Sequence, residues 1–270
     1  MATFDLNNFV IDRIVRGVAL SQKDDSVLFS INQIQNASLN CASESTDAVD
    51  ALGTPIATFY RAKSAEFSAE NALFDMNLMA TQMGTAKKVA TASSKITVPA
   101  MESFTVAEGL KYTLKHAPKV APTEIYAING DSTFGVKYTS ATSASATAFA
   151  YDEANHALTL PTGVKAGSEM FVMYEYDSEN AVEVVNSATN FPVGCKFVME
   201  VLGCDVCDQT NLIYAYLVFP NFKLSPDFDW SIATDGTHPF SGRAQQDYCD
   251  SRNCYSTSSF LVRNNFYNTL

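Results

Sequence analysis

Residues 53–84 read GTPIATFYRAKSAEFSAENALFDMNLMATQMG, and this stretch changes its hydrophobic period halfway along. In its first half, Ile56, Thr58 and Tyr60 share one face of an alternating pattern, which predicts a β-strand. Its second half has apolar residues at helical spacing and predicts a helix over residues 69–83, ended by a glycine. The residues expected to face inward from this helix are Leu73, Met76, Ala80 and Met83. No acid, base or nucleophile cluster lies in the stretch, so its composition favours packing or partner contacts over catalysis.

The composition indicates a chain that can fold around a core and that is poorly suited to holding nucleic acid. Of its 270 residues, 47% are hydrophobic and 17% are charged, which excludes a disordered tail. The 29 acidic residues outnumber the 18 basic ones, for a net charge of -11. Binding phosphates requires clustered Lys and Arg, so this balance argues against a nucleic-acid binder.

The amino-terminal segment MATFDLNNFVIDRIVRG carries acids and amides where a secretory signal requires a basic start and an apolar run. No later stretch approaches the roughly 18 apolar residues of a membrane span. We therefore expect a chain that is made in a cytosol, inserts in no membrane and keeps its cysteines reduced. These cysteines are Cys41, Cys195, Cys204, Cys207, Cys249 and Cys254.

The strand pattern predicts a mainly β fold with two domains. Residues 26–41 place apolar side chains at odd positions and mostly Ser and Asn at even positions, which predicts a strand or a bent pair of strands, and residues 43–55 are expected to form a loop. From about residue 90, short strands alternate with turn signals at intervals of roughly ten residues, as in a small β-sandwich. Residues 93–185 are therefore expected to form an inserted, immunoglobulin-like β-sandwich, and residues 1–92 and 186–270 a discontinuous β domain. Longer strands are expected in the latter, including FDWSIATDG at residues 228–236.

Two pairs of cysteines are the sharpest motif with possible chemistry. Cys204 and Cys207 are separated by two residues, and Cys249 and Cys254 by four, so four thiolates could form a structural zinc site. The second spacing is looser than in a zinc knuckle, and two aspartates flank the first pair. Free thiols, which behave as small hydrophobic groups, are the favoured interpretation. We assign no metal ligand and no cofactor.

The sequence offers no set of residues on which an enzyme would depend. His238 lies three residues after Asp235, but the intervening Gly and the following Pro are turn signals before they are signs of a base and its orienting acid. Nucleophile elbows, phosphate-binding loops and zinc-protease helices are absent from the sequence. We therefore expect no catalytic residue and no enzymatic activity.

The sequence predicts many strands but few features that would prevent their edges from pairing with other strands. The segment LIYAYLVFPNF at residues 212–222 is apolar on both faces, so its own fold or another subunit must cover it. A monomer with such strands is at risk of aggregation. Closure into a symmetric ring is one arrangement that pairs every edge.

Three segments of the chain resemble the tail tube proteins of long-tailed bacteriophages. They are residues 12–39, which begin DRIVRG, residues 46–80, which begin TDAVDA, and residues 214–250, which begin YAYLVF. The similarity as a whole covers residues 12–83 and 186–250. The resemblance implies a two-sheet β barrel flanked by one helix. It also implies six copies per ring, rings stacked into a hollow tube, and a long hairpin from each copy that lines the tube. Residues 93–185 exceed that simple fold and imply a decoration on the outer wall.

The resemblance also implies a function and a location. It implies a structural protein of the virion tail, assembled in the host cytoplasm from copies of itself and other tail proteins, with DNA passing through but not held. An alternative is a binding module, a capsid decoration or adhesin whose immunoglobulin-like middle domain meets a carbohydrate or protein surface. An ordinary monomer and a zinc-dependent enzyme remain further alternatives.

A tube that conducts DNA is expected to have a lumen lined by Asp, Glu and neutral polar groups, because Lys and Arg facing the lumen would bind phosphates by counterion release. The candidate lumen carboxylates fall in two segments, although a solvated outer loop is the favoured interpretation for each one singly. They are Glu44, Asp47 and Asp50 in the first segment and Asp205 and Asp208 in the second.

Overall fold

The computed structural model describes residues 6–246 and 258–266, with side chains described through residue 262 of the last segment. In chain order its elements are β1 (Phe9–Ser21), β2 (Val27–Ile31), β3 (Ile34–Val49), β4 (Pro55–Asn71), α1 (Met76–Gln82), β5 (Lys88–Val89), β6 (Ile96–Thr105), β7 (Lys111–Thr113), β8 (Glu124–Ile128), β9 (Phe134–Ala141), β10 (Ala148–Asp152), β11 (Ala157–Thr159), β12 (Glu169–Ser178), β13 (Val182–Glu183), β14 (Gly194–Asp205), β15 (Asp208–Leu224), β16 (His238–Gln245) and β17 (Ser259–Phe266). Over the described residues the chain is mainly β with one α-helix, which confirms the predicted fold class.

The chain divides into two compact units. Residues 88–183 form one of them, which we call the inserted unit. The chain before and after this segment forms the other, which we call the flanking unit. The boundaries expected from the sequence were residues 93 and 185.

The flanking unit is built on one antiparallel sheet with the strand order β2-β1-β14-β15-β16-β4-β3, and β17 pairs alongside β15. The sheet curls, because strands near its two ends contribute side chains to the same core. Phe29 of β2 and Phe67 of β4 both belong to this core and are about 1% exposed. Aromatic rings dominate the interior: the ring of Phe67 lies 5.7 Å from that of Phe197 and 5.6 Å from that of Phe219.

Helix α1 begins later than the sequence predicted. Strand β4 continues to Asn71, and the helix begins after Asp75, whose carboxylate accepts the backbone N–H groups of Asn77 and Leu78 as an N-cap. Leu73 therefore precedes the helix and is 61% exposed, so its predicted inward position is wrong. The buried helical residues include Leu78, which is fully buried and which the predicted set omitted. Strand pairing with β16 holds residues 65–71 extended and overrides the helical spacing.

The predicted strand at residues 228–236 is also wrong. Residues 225–237 form the irregular connection by which the chain reverses between the antiparallel strands β15 and β16. The alternating aromatic residues of this connection pack on the start of the helix instead of on a sheet. The Trp230 ring lies 4.9 Å from that of Phe74 and 5.7 Å from that of Phe228.

The inserted unit contains a seven-stranded sheet with the order β6-β12-β8-β9-β10-β11-β7, in which only β9 and β10 run parallel. Its own core includes Ile125, Phe149 and Val172, all fully buried. The short strands β5 and β13 pair with each other where the chain enters and leaves the unit. Separate cores support two folding units, while the immunoglobulin-like character of the insert stays a prediction.

A buried carboxylate organises the interior of the inserted unit. Glu102 is 4% exposed and accepts hydrogen bonds from the Tyr174 hydroxyl, the Tyr112 hydroxyl at 2.7 Å and the Lys115 backbone N–H at 3.1 Å. Burial, followed by the bond to Glu102, raises the pKa of Tyr112 to about 12. The same two causes raise the pKa of Tyr174, so both phenols stay protonated and continue to donate.

Candidate functional site

Strands β3 and β4 form a long antiparallel hairpin whose distal part, residues 40–64, we call the arm. The prediction of a loop over residues 43–55 is wrong, because residues 43–49 pair with β4 and only residues 50–54 turn. The Asp50 carboxylate accepts the backbone N–H groups of Leu52 and Thr54, both at 2.8 Å, and these bonds lower the pKa of Asp50. Gly53 supplies the positive φ of 84° that the turn requires.

The arm is exposed on both faces. Every residue from 40 to 64 is exposed, and burial begins only at Ala65. The exposed residues include large apolar ones, with Ile56 at 70%, Phe59 at 57% and Tyr60 at 74%. A two-stranded hairpin without a covering layer is marginally stable in water, so this arrangement indicates a partner.

Both long edges of the arm lack a neighbouring strand within the described residues. Strand β16 pairs with β4 from Ala65 to Asn71 and stops there, while β3 pairs with β4 alone. Each free edge therefore presents backbone donors and acceptors that another strand can pair with. A bulge at Ala62 separates the pair Ser43–Lys63 from the pair Glu44–Arg61. On the side of the turn, residues 56–61 are extended and paired with β3, which confirms the strand alternation predicted for them.

Near the base of the arm, the sheet face opposite the aromatic core is polar. Three cross-strand rows lie on it, and apart from the cations of the last row they are made of small polar and acidic side chains. The rows are Asn36 with Glu70, which are hydrogen-bonded, Ser38 with Ser68 and Ser241, and Asn40 with Glu66, Arg243 and the exposed Lys223. Arg243 forms an ion pair with Glu66 at 2.8 Å. A groove of about 410 Å³ lies along this face.

The polar face is absent from the features predicted from the sequence, although its signal is present there. The Ser and Asn residues at even positions of residues 26–41 include Asn36, Ser38 and Asn40, and these point away from the core in β3. Their partners on β4 and β16 come from segments far apart in the chain, so only the paired sheet brings the rows together.

The structure divides the predicted lumen carboxylates between two places. In the arm, Glu44 lies opposite Arg61 and Asp47 lies opposite Thr58 in the register of the two strands. Asp50 accepts the hydrogen bonds that hold the turn. Asp205 and Asp208 instead flank the turn between β14 and β15.

The two carboxylates of the β14–β15 turn make local hydrogen bonds. Asp205 accepts the Cys207 backbone N–H at 2.8 Å. Asp208 accepts from Asn211 at 2.7 Å and Thr210 at 2.9 Å, and these bonds lower its pKa. These contacts give both residues a role in shaping the turn.

The cysteines of the proposed zinc motif do not form a site in the described part of the chain. Cys204 is buried and Cys207 is exposed, while Cys249 and Cys254 lie outside the described residues. Over residues 6–246 and 258–266, no group of three metal-ligating side chains comes together. Within the described residues Cys204 and Cys207 form no disulfide, and the free-thiol interpretation stays a prediction.

His238 links the two ends of helix α1 through the hydrogen bonds of its imidazole. Its imidazole is fully buried, and its Nδ1 accepts the Asp75 backbone N–H at 3.3 Å, which places the proton on Nε2. Nε2 then donates to the Gln82 side-chain oxygen at 2.8 Å, so one imidazole connects the start and the end of α1. Burial lowers the pKa of His238. The nearby Asp235 of the sequence motif is exposed in the connecting loop.

The arm and the polar face are the exposed surfaces of the flanking unit that another molecule could contact. The model of the YomU/Tube protein family matches residues 9–253. This match confirms the resemblance to phage tail tube proteins. No curated protein matches the chain. Across the described residues, none of the helices is long and apolar enough to cross a membrane.

Proposed function

Since this chain belongs to the YomU/Tube protein family, we propose that it self-assembles into stacked hexameric rings that form the tail tube of a bacteriophage. The family identifies a tail tube protein, and such a protein is a component of the virion tail. The assembled tube serves as the conduit through which the genome leaves the particle. Self-assembly is the activity of the chain, and no catalytic residue is assigned to it.

The arm is the observation that supports this proposal most directly. Its two free edges and its exposed Phe59 and Tyr60 are features that a monomer leaves unsatisfied. Pairing of one copy's arm with the sheet of the next copy satisfies the backbone groups and covers the apolar side chains. Because one edge of a copy meets a different edge of its neighbour, the contact is head-to-tail, the type of interface from which rings are built when the rotation between copies closes. The six-fold count comes from the resemblance to tail tube proteins.

The polar face suits the lumen of such a ring. It carries Ser and Asn side chains, and its Arg243 is already paired with Glu66. Its other cation, the exposed Lys223 beside Arg243, has no ion-pair partner among the described residues. A single free cation per copy would bind DNA phosphates only weakly by counterion release. Tight DNA binding by assembled tubes at low salt, lost on adding salt, would contradict the conduit.

Assembly takes place in the host cytoplasm under this proposal, and the finished tube contacts other tail proteins at its ends. The net charge of -11 suits a surface that repels passing DNA and keeps unassembled copies soluble. DNA is a transient passenger with no specific site on the chain.

Removing the arm tests the proposal. Residues 44–62 are deleted, and Ser43 and Lys63, which face each other across the hairpin, are joined through Asn-Gly, a favoured two-residue turn. We expect a folded chain that sediments as a monomer, whereas the full-length chain forms rings or tubes in negative-stain images. Rings formed by the shortened chain would refute the role of the arm. A full-length chain that stays monomeric would favour the decoration or adhesin alternative.

A further inference from the structure

The outward face of the inserted unit carries a continuous apolar surface, which we call the outer patch. It consists of Met101, Tyr126, Phe134, Phe171 and Met173. Met101 is 65% exposed, Phe134 61% and Met173 51%. Their strand neighbours Ala100, Ile125 and Val172 point into the core, so the outer patch occupies the opposite face of the sheet.

The members of the outer patch touch one another across four adjacent strands. Met101 of β6 faces Met173 of β12, and Phe171 faces Tyr126 of β8. The Phe134 ring lies 4.9 Å from that of Phe171 and 5.5 Å from that of Tyr126. A solvated antiparallel sheet ordinarily places polar residues at such positions. Here the central positions are Met and aromatic residues, which are enriched in binding surfaces.

The charges around the outer patch are negative and only partly compensated. Glu169 and Glu175 flank Phe171 and Met173 on the same face of β12, and both are exposed. Neither carboxylate has an ion-pair partner among the described residues. Two cations of this face are already paired, Lys137 with Glu124 at 2.9 Å and Lys119 with Asp177 at 3.2 Å.

We propose that the outer patch is a docking surface for a protein partner that presents apolar side chains surrounded by Lys or Arg. Charge complementarity selects this occupant, because Glu169 and Glu175 offer two unpaired carboxylates at the rim of an apolar centre. Pairing of two copies patch to patch would bring like charges together and is disfavoured. The proposal stands whether or not the chain forms a tube.

The size of the outer patch predicts a weak contact for each copy. Its exposed area is on the order of 500 Å², below the roughly 800 Å² per partner of a standard stable interface. A chain that displays many copies in one assembly would bind through avidity, so a weak contact per copy suffices.

Matched peptides and variants of the full-length chain test the proposal. The probe is a fluorescently labelled amphipathic helical peptide of Leu and Lys, compared with versions in which Glu replaces Lys or Ser replaces Leu. We expect the Leu–Lys peptide to bind at least about tenfold more tightly than either control. The variant M101S/M173S should lose about tenfold in affinity and E169Q/E175Q several-fold, with the latter effect shrinking at high ionic strength.

V120S is the matched control, since Val120 is 71% exposed in the same unit but lies outside the outer patch. It should leave binding unchanged, and unfolding midpoints verify that every variant is folded. Equal binding by M101S/M173S, equal binding of the Leu–Glu peptide, or failure of the Leu–Lys peptide to bind would each overturn the proposal. Self-association of the wild type that M101S/M173S abolishes would assign the outer patch to a second copy and overturn it as well.

Discussion

Two phenylalanines eight positions apart in β4 separate the stability of the flanking unit from its assembly. Phe67 is 1% exposed, and its ring centroid lies within 5.6 to 6.3 Å of the rings of Phe197, Phe219, Phe222 and Phe240. Truncation to alanine in such surroundings removes transfer free energy and leaves a cavity, so F67A is expected to lower the free energy of unfolding by about 3–5 kcal/mol. That is a large share of the roughly 5–15 kcal/mol that stabilises a typical domain.

The matched variant is F59A, because Phe59 is the same residue type in the same strand but is 57% exposed on the arm. Its effect on the free energy of unfolding is expected to stay within about 0.5 kcal/mol. Under the proposed function, however, it should reduce the yield of rings or tubes. F67A should reduce ring yield only in proportion to the folded fraction.

Urea unfolding of the two variants, followed by circular dichroism and extrapolated linearly, measures the stability difference. Negative-stain images of the same preparations measure assembly. If F67A cost less than about 1 kcal/mol, the curled sheet would not enclose the aromatic core that the structure shows. If F59A were as destabilising as F67A while assembly of its folded fraction remained intact, the arm would belong to the monomer's own packing.

Three further predictions follow from the packing of the two units. Burial lowers the folded pKa of His238, so on acidification the unfolded chain binds a proton before the folded chain does. The contribution of His238 to stability should therefore be constant above about pH 6.5 and fall below it. Urea midpoints of the wild type should show this slope, and those of H238Q should lack it. Y174F removes a hydroxyl that bonds to buried Glu102 and should cost about 1–3 kcal/mol in thermal unfolding, whereas Y126F, at the surface, should cost under about 0.5 kcal/mol. Replacing residues 88–183 by a short Gly/Ser linker should preserve assembly, because Lys88 and Glu183 face each other in paired strands and the ends of the insert are therefore close together. An insoluble product, together with an isolated insert that also fails to fold, would refute the two-unit division.

The sequence by itself determined the properties that depend on composition and period. Alternation at Ile56, Thr58 and Tyr60 predicted a strand, and the structure confirms it. The reason is that an extended chain places successive side chains on opposite faces, so a period of two matches a strand and not a helix. The acidic balance of the chain is likewise independent of folding. The mainly β class followed from many short apolar runs between turn residues, which no helix accommodates.

Only the tertiary structure decided where strands end and which faces are covered. Residues 43–49 look like a loop until β4 lies beside them, and residues 228–236 alternate like a strand but have no strand to pair with. Leu73 matched a helical period by spacing alone, while pairing with β16 kept the preceding residues extended. A strand is stable only through hydrogen bonds to a neighbour that is distant in sequence, so its existence cannot be derived from its own residues. Alternation also could not show that the apolar side chains of the arm stay exposed. A period of two divides the residues between two faces of a strand, but only tertiary packing determines which face is buried.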